Sequence, residues 1–203
     1  MSLSAFSAAC ERNKAPILDV LCHELSDRFR VLEVGSGTGQ HAVFFARHLI
    51  HLTWQPTDQS HVLSGLAARI ADEGSDNLMA PVMLDVLDAD WAKGIEVSTI
   101  DAVFTANTLH IMSWPAVEAF FKCSGVLLQT GGTLCVYGPF RYADSPFAPS
   151  NAAFDEALRA SASGMGIRDF AAVDALACQQ GLELSADYEM PANNRLLVWR
   201  TAH

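Results

Sequence analysis

Along the chain, short apolar runs alternate with stretches in which apolar residues recur every three or four positions, so strands and helices are predicted in turn. Ile17, Leu18, Leu21 and Leu25 recur at helical spacing, with Pro16 as the opening residue of that helix. Residues 29–34 (FRVLEV) read as a first strand, and 39–49 (GQHAVFFARHL) as a helix with Ala42, Phe45, Ala46 and Leu49 on one face. A second strand spans 51–58, a helix over 60–72 carries Val62, Leu63, Leu66, Ala67 and Ile70, and a third strand lies within 77–86. The run IDAVFTA at 100–106 is largely apolar, as expected of a strand buried on both faces of a parallel sheet. A helix from Pro115 to about Gln129, a turn at Gly131 and Gly132, and a strand at 133–138 (TLCVYG) follow. Asp169 caps a helix ending at Gly181. Residues 182–189 and 195–200, joined by MPANN, read as an antiparallel hairpin.

Strands alternating with helices predict an α/β fold: a doubly wound, mostly parallel seven-stranded sheet with helices on both faces and a C-terminal antiparallel hairpin. The 203 residues suit a single domain. Within it, 1–28 form an N-terminal helical cap segment, and 139–168 a loop and helix covering a site. Ligands in such sheets bind beyond the carboxyl ends of the strands, which makes the residues just past each strand the candidates for function.

Composition narrows the partners. Asp and Glu number 23 against 13 Lys and Arg, a net charge of −10 with no basic cluster, and such a surface repels phosphate backbones, so nucleic acid is not expected. No apolar run approaches the roughly 20 residues of a membrane span. The start, MSLSAFSAACERNK, lacks the pattern of an export or organelle signal, and the cytoplasm is the expected location. Five cysteines without a C-x-x-C pair suit reduced, mostly buried thiols. His48 and His51 lack a third ligand nearby, so no metal is expected.

GSGTG at 35–39 follows the first strand, with Glu33 two residues upstream. Glycines let the chain turn sharply and let a ligand lie against bare backbone, while the next helix presents free amides. The dinucleotide fingerprint G-x-G-x-x-G requires a third glycine at position 40, which is Gln40; here Gly39 comes one residue early. Asp58, 19 residues beyond Gly39, ends the second strand, where a carboxylate accepts from ribose hydroxyls or caps the following helix. Asp85 follows the third strand, as a nucleobase acceptor or a solvated loop residue, and Asn107-Thr108-Leu109-His110 the fourth, where Asn107 also suits a plain turn.

EVGSGTG at 33–39 resembles the first motif of S-adenosylmethionine-dependent methyltransferases, in which an acid suits the ammonium of the cofactor's amino acid end. The likeness is wider than this motif. ERNK (11–14), PIL (16–18), VLEVGSGTGQH (31–41), LTWQPTD (52–58), NTLHI (107–111), YGPF (137–140), SNAAFD (150–155) and GIRD (166–169) together resemble a family of small, largely uncharacterised class I methyltransferase-like proteins that includes methyltransferase-like protein 26 of animals. Met165 stands where that family usually has an aromatic residue. The resemblance implies the class I methyltransferase fold and S-adenosylmethionine as cofactor, with S-adenosylhomocysteine as product, but supplies no acceptor. It implies cofactor contacts from Glu33, Gly35, Ser36, Gly37, Gly39, His41, Asp58, Gln59, Asp85, Val86, Asn107 and Leu109, and from Arg12 and Asn13 folding over the cofactor. The alternatives for that last pair are a solvent-facing arginine and a helix cap.

Methyl transfer asks mainly for positioning and desolvation of the nucleophile. Where the acceptor is protonated, His110 is the candidate base, with a hydrogen-bonded structural histidine as the alternative; Tyr137 and Tyr142, in the Pro-rich segment 137–151, are further candidates. N-T-L-H after the fourth strand is unlike the N-P-P-Y of enzymes that methylate adenine or glutamine nitrogens, and Asn107 replaces the acid of metal-assisted catechol methylation. A single acidic domain favours a small-molecule acceptor. The competing expectations are a non-catalytic cofactor-binding or scaffold protein of the same fold and, last, an NAD-dependent oxidoreductase.

Overall fold

A computed structural model describes residues 6–128 and 130–201. In chain order the elements are α1 (Ala8–Glu24), β1 (Arg30–Val34), α2 (Gln40–His48), β2 (Thr53–Asp58), α3 (Leu63–Glu73), β3 (Val82–Met83), β4 (Ala102–Ala106), α4 (Trp114–Leu127), β5 (Thr133–Gly138), β6 (Phe140–Arg141), α5 (Pro149–Ser161), β7 (Arg168–Asp169), α6 (Phe170–Gln179), β8 (Leu182–Met190) and β9 (Asn194–Thr201). The main sheet has seven strands in the order β3-β2-β1-β4-β5-β9-β8, parallel where β1 meets β2 and β4 and antiparallel where β9 meets β5 and β8. The expected α/β architecture is therefore present, C-terminal antiparallel pair included. The chain divides into two units, one ending at Thr105 and the other starting at Ala106.

In the first unit the core is an aromatic cluster. Phe45 of α2 meets Trp54 of β2 at 5.6 Å and Phe104 of β4 at 5.4 Å between ring centroids, and all three rings are fully buried. Burial of this size holds α2 against the sheet at about 2–3 kcal/mol per large ring. In the second unit, Phe121 of α4 packs edge-on against Trp199 of β9 at 5.8 Å, and the Trp199 indole N–H donates to Asp174 of α6 at 2.8 Å.

Several elements differ from expectation for physical reasons. Pro16 does not open the first helix; it lies inside α1, which starts two turns earlier because Ser7 caps it, its Oγ accepting from the Cys10 amide at 3.3 Å. The third strand shrinks to Val82–Met83, with one isolated bridge between Trp54 and Leu78, since it sits at the sheet edge with a single neighbour. The helix expected to reach about Gln129 stops at Leu127, and Gln129 itself lies outside the described residues. Within 137–151, Phe140–Arg141 form β6, which pairs in parallel with β7 as a separate two-stranded sheet. None of the five cysteines is in a disulfide, but only Cys123 and Cys135 are buried, while Cys22 and Cys178 are exposed. Among the described residues no helix is long and apolar enough to cross a membrane.

Candidate functional site

In the first unit, the carboxyl ends of β1, β2 and β3 bring most of the predicted residues together. Glu33, 2 % exposed, holds two donors on its Oε2: the Ser36 hydroxyl and the Trp54 indole N–H, each at 2.9 Å. Among the described residues none donates to Oε1. Burial pushes the Glu33 carboxyl up to about 7, against the pull of its two donors and with the Asp58 charge adding to the rise. Trp54 is both a core ring and the clamp on this acid. It pairs with Val31 in the β1–β2 register, two residues before Glu33, so both side chains lie on one face.

The glycine loop turns back over the end of β2. The amides of Gly35 and Ser36 donate to the Thr57 carbonyl at 3.1 and 3.0 Å, and the Gly37 amide donates to Asp58 Oδ2 at 2.6 Å. Asp58 Oδ1 takes the Gln59 amide at 2.7 Å, so this carboxylate braces two backbone segments at once. Gln59 in turn donates from Nε2 to Asp85 Oδ2 at 3.3 Å, and Asp85 Oδ1 accepts from the Leu87 amide at 3.0 Å. Val86 is buried beside it.

The two later glycines do different work. Gly37 has φ +53°, and a Cβ there would meet nothing within 4 Å, so its bare face opens outward from the loop. Gly39 has φ +76°, and a Cβ there would lie 2.7 Å from Leu66 Cδ1 and 3.1 Å from Arg69 Cδ, so Gly39 allows α3 to pack against the start of α2.

Two residues expected to touch a cofactor are hydrogen-bonded to each other. His41 Nε2–H donates to Asn13 Oδ1 at 2.7 Å, and both residues are buried. The imidazole stacks on Phe45 at 5.2 Å, and burial pushes it down to about 4, keeping it neutral. This pair fastens α1 to α2. Gln40 adds a second fastening: its Oε1 takes the Ser7 amide at 2.5 Å and the Thr38 hydroxyl at 3.1 Å. Arg12 is exposed and, among the described residues, has no carboxylate partner. His48 and His51, weighed as metal ligands, donate instead to the carbonyls of Phe44 at 2.7 Å and Leu25 at 3.1 Å. Among the described residues no group of three His, Cys, Asp or Glu could hold a metal ion.

In the second unit, Asn107 takes the left-handed conformation at φ +59°, its amide donating to the Tyr137 carbonyl at 2.9 Å. Such a conformation suits an asparagine and marks a backbone position held by its surroundings. Leu109 is buried. His110 is 6 % exposed, lies edge-on to Phe154 of α5 at 5.2 Å, and among the described residues has no hydrogen-bond partner on its ring. Burial, with the Arg168 cation adding to it, pushes this imidazole down to about 4, so it is neutral at physiological pH.

Sequence reasoning gave Arg168 no role. Its guanidinium donates to the carbonyls of Leu109 and Gly164, each at 2.8 Å, and to that of Met112, tying the segment around His110 to the approach to β7. The available signal was GIRD at 166–169, where a buried arginine precedes the helix cap Asp169. Tyr142 departs from its expected catalytic place. Its hydroxyl donates to Asp187 of β8 at 2.8 Å, and its ring stacks on Phe170 at 4.9 Å. Burial and the Asp187 carboxylate push the phenol well above its ordinary range. Tyr137 is buried within β5.

Several solved structures with a similar backbone are methyltransferases. An O-methyltransferase family protein from Burkholderia thailandensis matches at a TM-score of 0.79 and 16 % identity, over 96 % of this chain and 57 % of its own. Human N-acetylserotonin methyltransferase, solved with SAM, matches at 0.78 and 13 % identity, over 96 % of this chain and 53 % of its own. PigF, solved with SAH, matches at 0.75 and 15 % identity, over 95 % of this chain and 63 % of its own. At these identities the likeness is one of fold, and this chain spans little more than half the length of the first two proteins. A family model described as "Protein of unknown function (DUF938)" matches residues 4–201, nearly the whole length, and the chain belongs to that family.

Proposed function

We propose that the chain is an S-adenosylmethionine-dependent methyltransferase acting on a small-molecule acceptor. The observation that carries this reading is the arrangement in the first unit. A buried acid with one unpartnered oxygen, a glycine whose side-chain direction is open, and a strand-end carboxylate converge at the carboxyl ends of β1 and β2. Glu33 suits a cationic amino group, which would lower its pKa and ionise it. Gly37 suits close approach of a ligand, Asp58 suits ribose hydroxyls, and Asp85 suits a nucleobase amine. A pyrophosphate would meet Glu33 unfavourably, which ranks the dinucleotide reading last. The solved proteins that share the fold, methyltransferases among them and two solved with SAM or SAH, add support.

The bound cofactor would supply a methyl group activated by a sulfonium. The chain's own part in the reaction falls to positioning and to a neutral His110 able to take the acceptor's proton on its unpartnered ring nitrogen. The non-catalytic reading draws its support from the engagement of Tyr142 with Asp187 and from the weak basicity of His110. Five cysteines outside any disulfide suit a reducing cytoplasm.

Calorimetric titration with S-adenosylhomocysteine tests the reading. Binding with a dissociation constant below about 1 mM is expected, and none at that concentration sinks it. Transfer of labelled methyl from S-adenosylmethionine into any small molecule of a cell extract separates the enzyme from a silent binder.

A further inference from the structure

The second unit holds a cavity of about 300 Å³ that no step above uses. Phe140, Tyr142, Phe147 and Met190 supply apolar lining, and the volume falls at the small end of ligand-binding cavities, the size of a one- or two-ring molecule. Aromatic lining of this kind favours a flat ring.

The polar lining is more selective. Asn151 of α5 is 8 % exposed, and its Nδ2 donates to the Asn193 carbonyl at 3.1 Å. That carbonyl fixes which end of the amide is which, and among the described residues nothing donates to Oδ1. A ligand that fills the cavity takes water away from this oxygen, so it needs an N–H or O–H to put in the water's place. Anions are disfavoured, because Arg195 is already taken: its Nε donates to Asp187 at 2.7 Å and its Nη1 to Glu189 at 3.0 Å.

Backbone strain sits at the same rim. Ala192 and Asn193 are both left-handed, at φ +60° and +56°, in the short turn between β8 and β9. An alanine gains nothing locally from that strained conformation, yet this turn carries the carbonyl that orients Asn151. Asn151 also shares a helix face with Phe154, three residues or about 4.5 Å further along α5, and Phe154 is the ring that touches His110.

We infer that this cavity binds a neutral, planar molecule of one or two rings that presents a hydrogen-bond donor to Asn151, and that the methyl acceptor belongs to this class. Only the second clause rests on the methyltransferase reading.

The test uses the full chain labelled with ¹³C at its methionine methyl groups, with the Met190 signal assigned through Met190→Leu. The probes are 2-naphthol, 2-methoxynaphthalene (the same rings without a donor) and 2-naphthoate (an anion), each added with and without S-adenosylhomocysteine. The Met190 signal should shift with 2-naphthol at a dissociation constant below about 1 mM, and 2-methoxynaphthalene should bind roughly fivefold more weakly, the ratio one neutral hydrogen bond supports. The anion should bind weakest. Asn151→Ala should erase the naphthol preference; the comparison of ligands on the unaltered protein stands even if that variant folds poorly. A Met190 signal that ignores 2-naphthol with and without S-adenosylhomocysteine, or equal affinity for the naphthol and its methyl ether, overturns the inference. A Met190 response in a protein that fails to bind S-adenosylhomocysteine leaves the cavity assignment standing and removes the methyltransferase reading instead.

Discussion

Gly37 and Gly39 stand two residues apart in one loop, both left-handed, and substitution by alanine should separate their roles. Each variant carries the conformational cost of an alanine at positive φ, about 1–2 kcal/mol. At Gly37 that is the whole structural cost, because the added methyl meets nothing within 4 Å. At Gly39 the methyl would lie 2.7 Å from Leu66 Cδ1 and 3.1 Å from Arg69 Cδ, and neither side chain can swing away easily, being 0 and 7 % exposed. Overpacking of that kind adds about 1–3 kcal/mol, so Gly39→Ala should melt roughly 2–12 °C below Gly37→Ala in a chain of this size. Affinity should show the opposite order. If the open face of Gly37 receives the cofactor, its alanine variant should bind S-adenosylhomocysteine about 5- to 150-fold more weakly, the clash now falling on the ligand. Gly39→Ala, measured below its melting temperature, should stay within about threefold of the unaltered protein. Thermal melting by circular dichroism and calorimetric titration read the two effects separately. A Gly37→Ala protein that binds normally, or a Gly39→Ala protein that melts no lower than its neighbour, would show that the two glycines have been assigned the wrong way round.

Two more outcomes follow from side chains whose environment is now known. Glu33 has a folded pKa of about 7 against 4.5 for the ordinary carboxyl, so its contribution to stability is complete below pH 4.5 and lost as pH rises through 7. Glu33→Gln removes that loss and should gain on the unaltered protein by about 3 kcal/mol between pH 4.5 and pH 8 in urea unfolding, with His41 and His110 cancelling in the comparison; a difference that does not change with pH refutes the burial argument. Tyr142→Phe deletes the hydrogen bond to Asp187 but leaves Arg195 on that carboxylate, so it should cost only about 1 kcal/mol, or roughly 2–4 °C of melting temperature, and a far larger drop would mean that the phenol holds more than this one contact.

By itself the sequence determined the order of elements, the doubly wound class, and the places where a ligand could be met. Those features are local: the apolar period separates FRVLEV from AVFFARHL, G-x-G-x-G forces a turn wherever it occurs, and an acid or amide after a strand stays at the strand's end. Tertiary structure decided what those residues do, because each role depends on a partner far away in the chain. Glu33 read as a bare acid until Trp54 came to lie on the same face, and the buried donor and lost solvent set its pKa. Asn13 and His41 looked like ligand contacts but meet each other across 28 positions, and Gln40, marked only as a missing glycine, ties down Ser7. Tyr142 went to Asp187, 45 residues on, while Arg168, without a role in the sequence, gathers the carbonyls around His110. Glycine spacing fixes where backbone is bare, but only packing says that Gly37 faces open space and Gly39 faces α3. A pattern of residue types encodes conformation over a few positions, whereas burial and hydrogen-bond pairing, which set charge state and chemistry, exist only once distant segments are brought together.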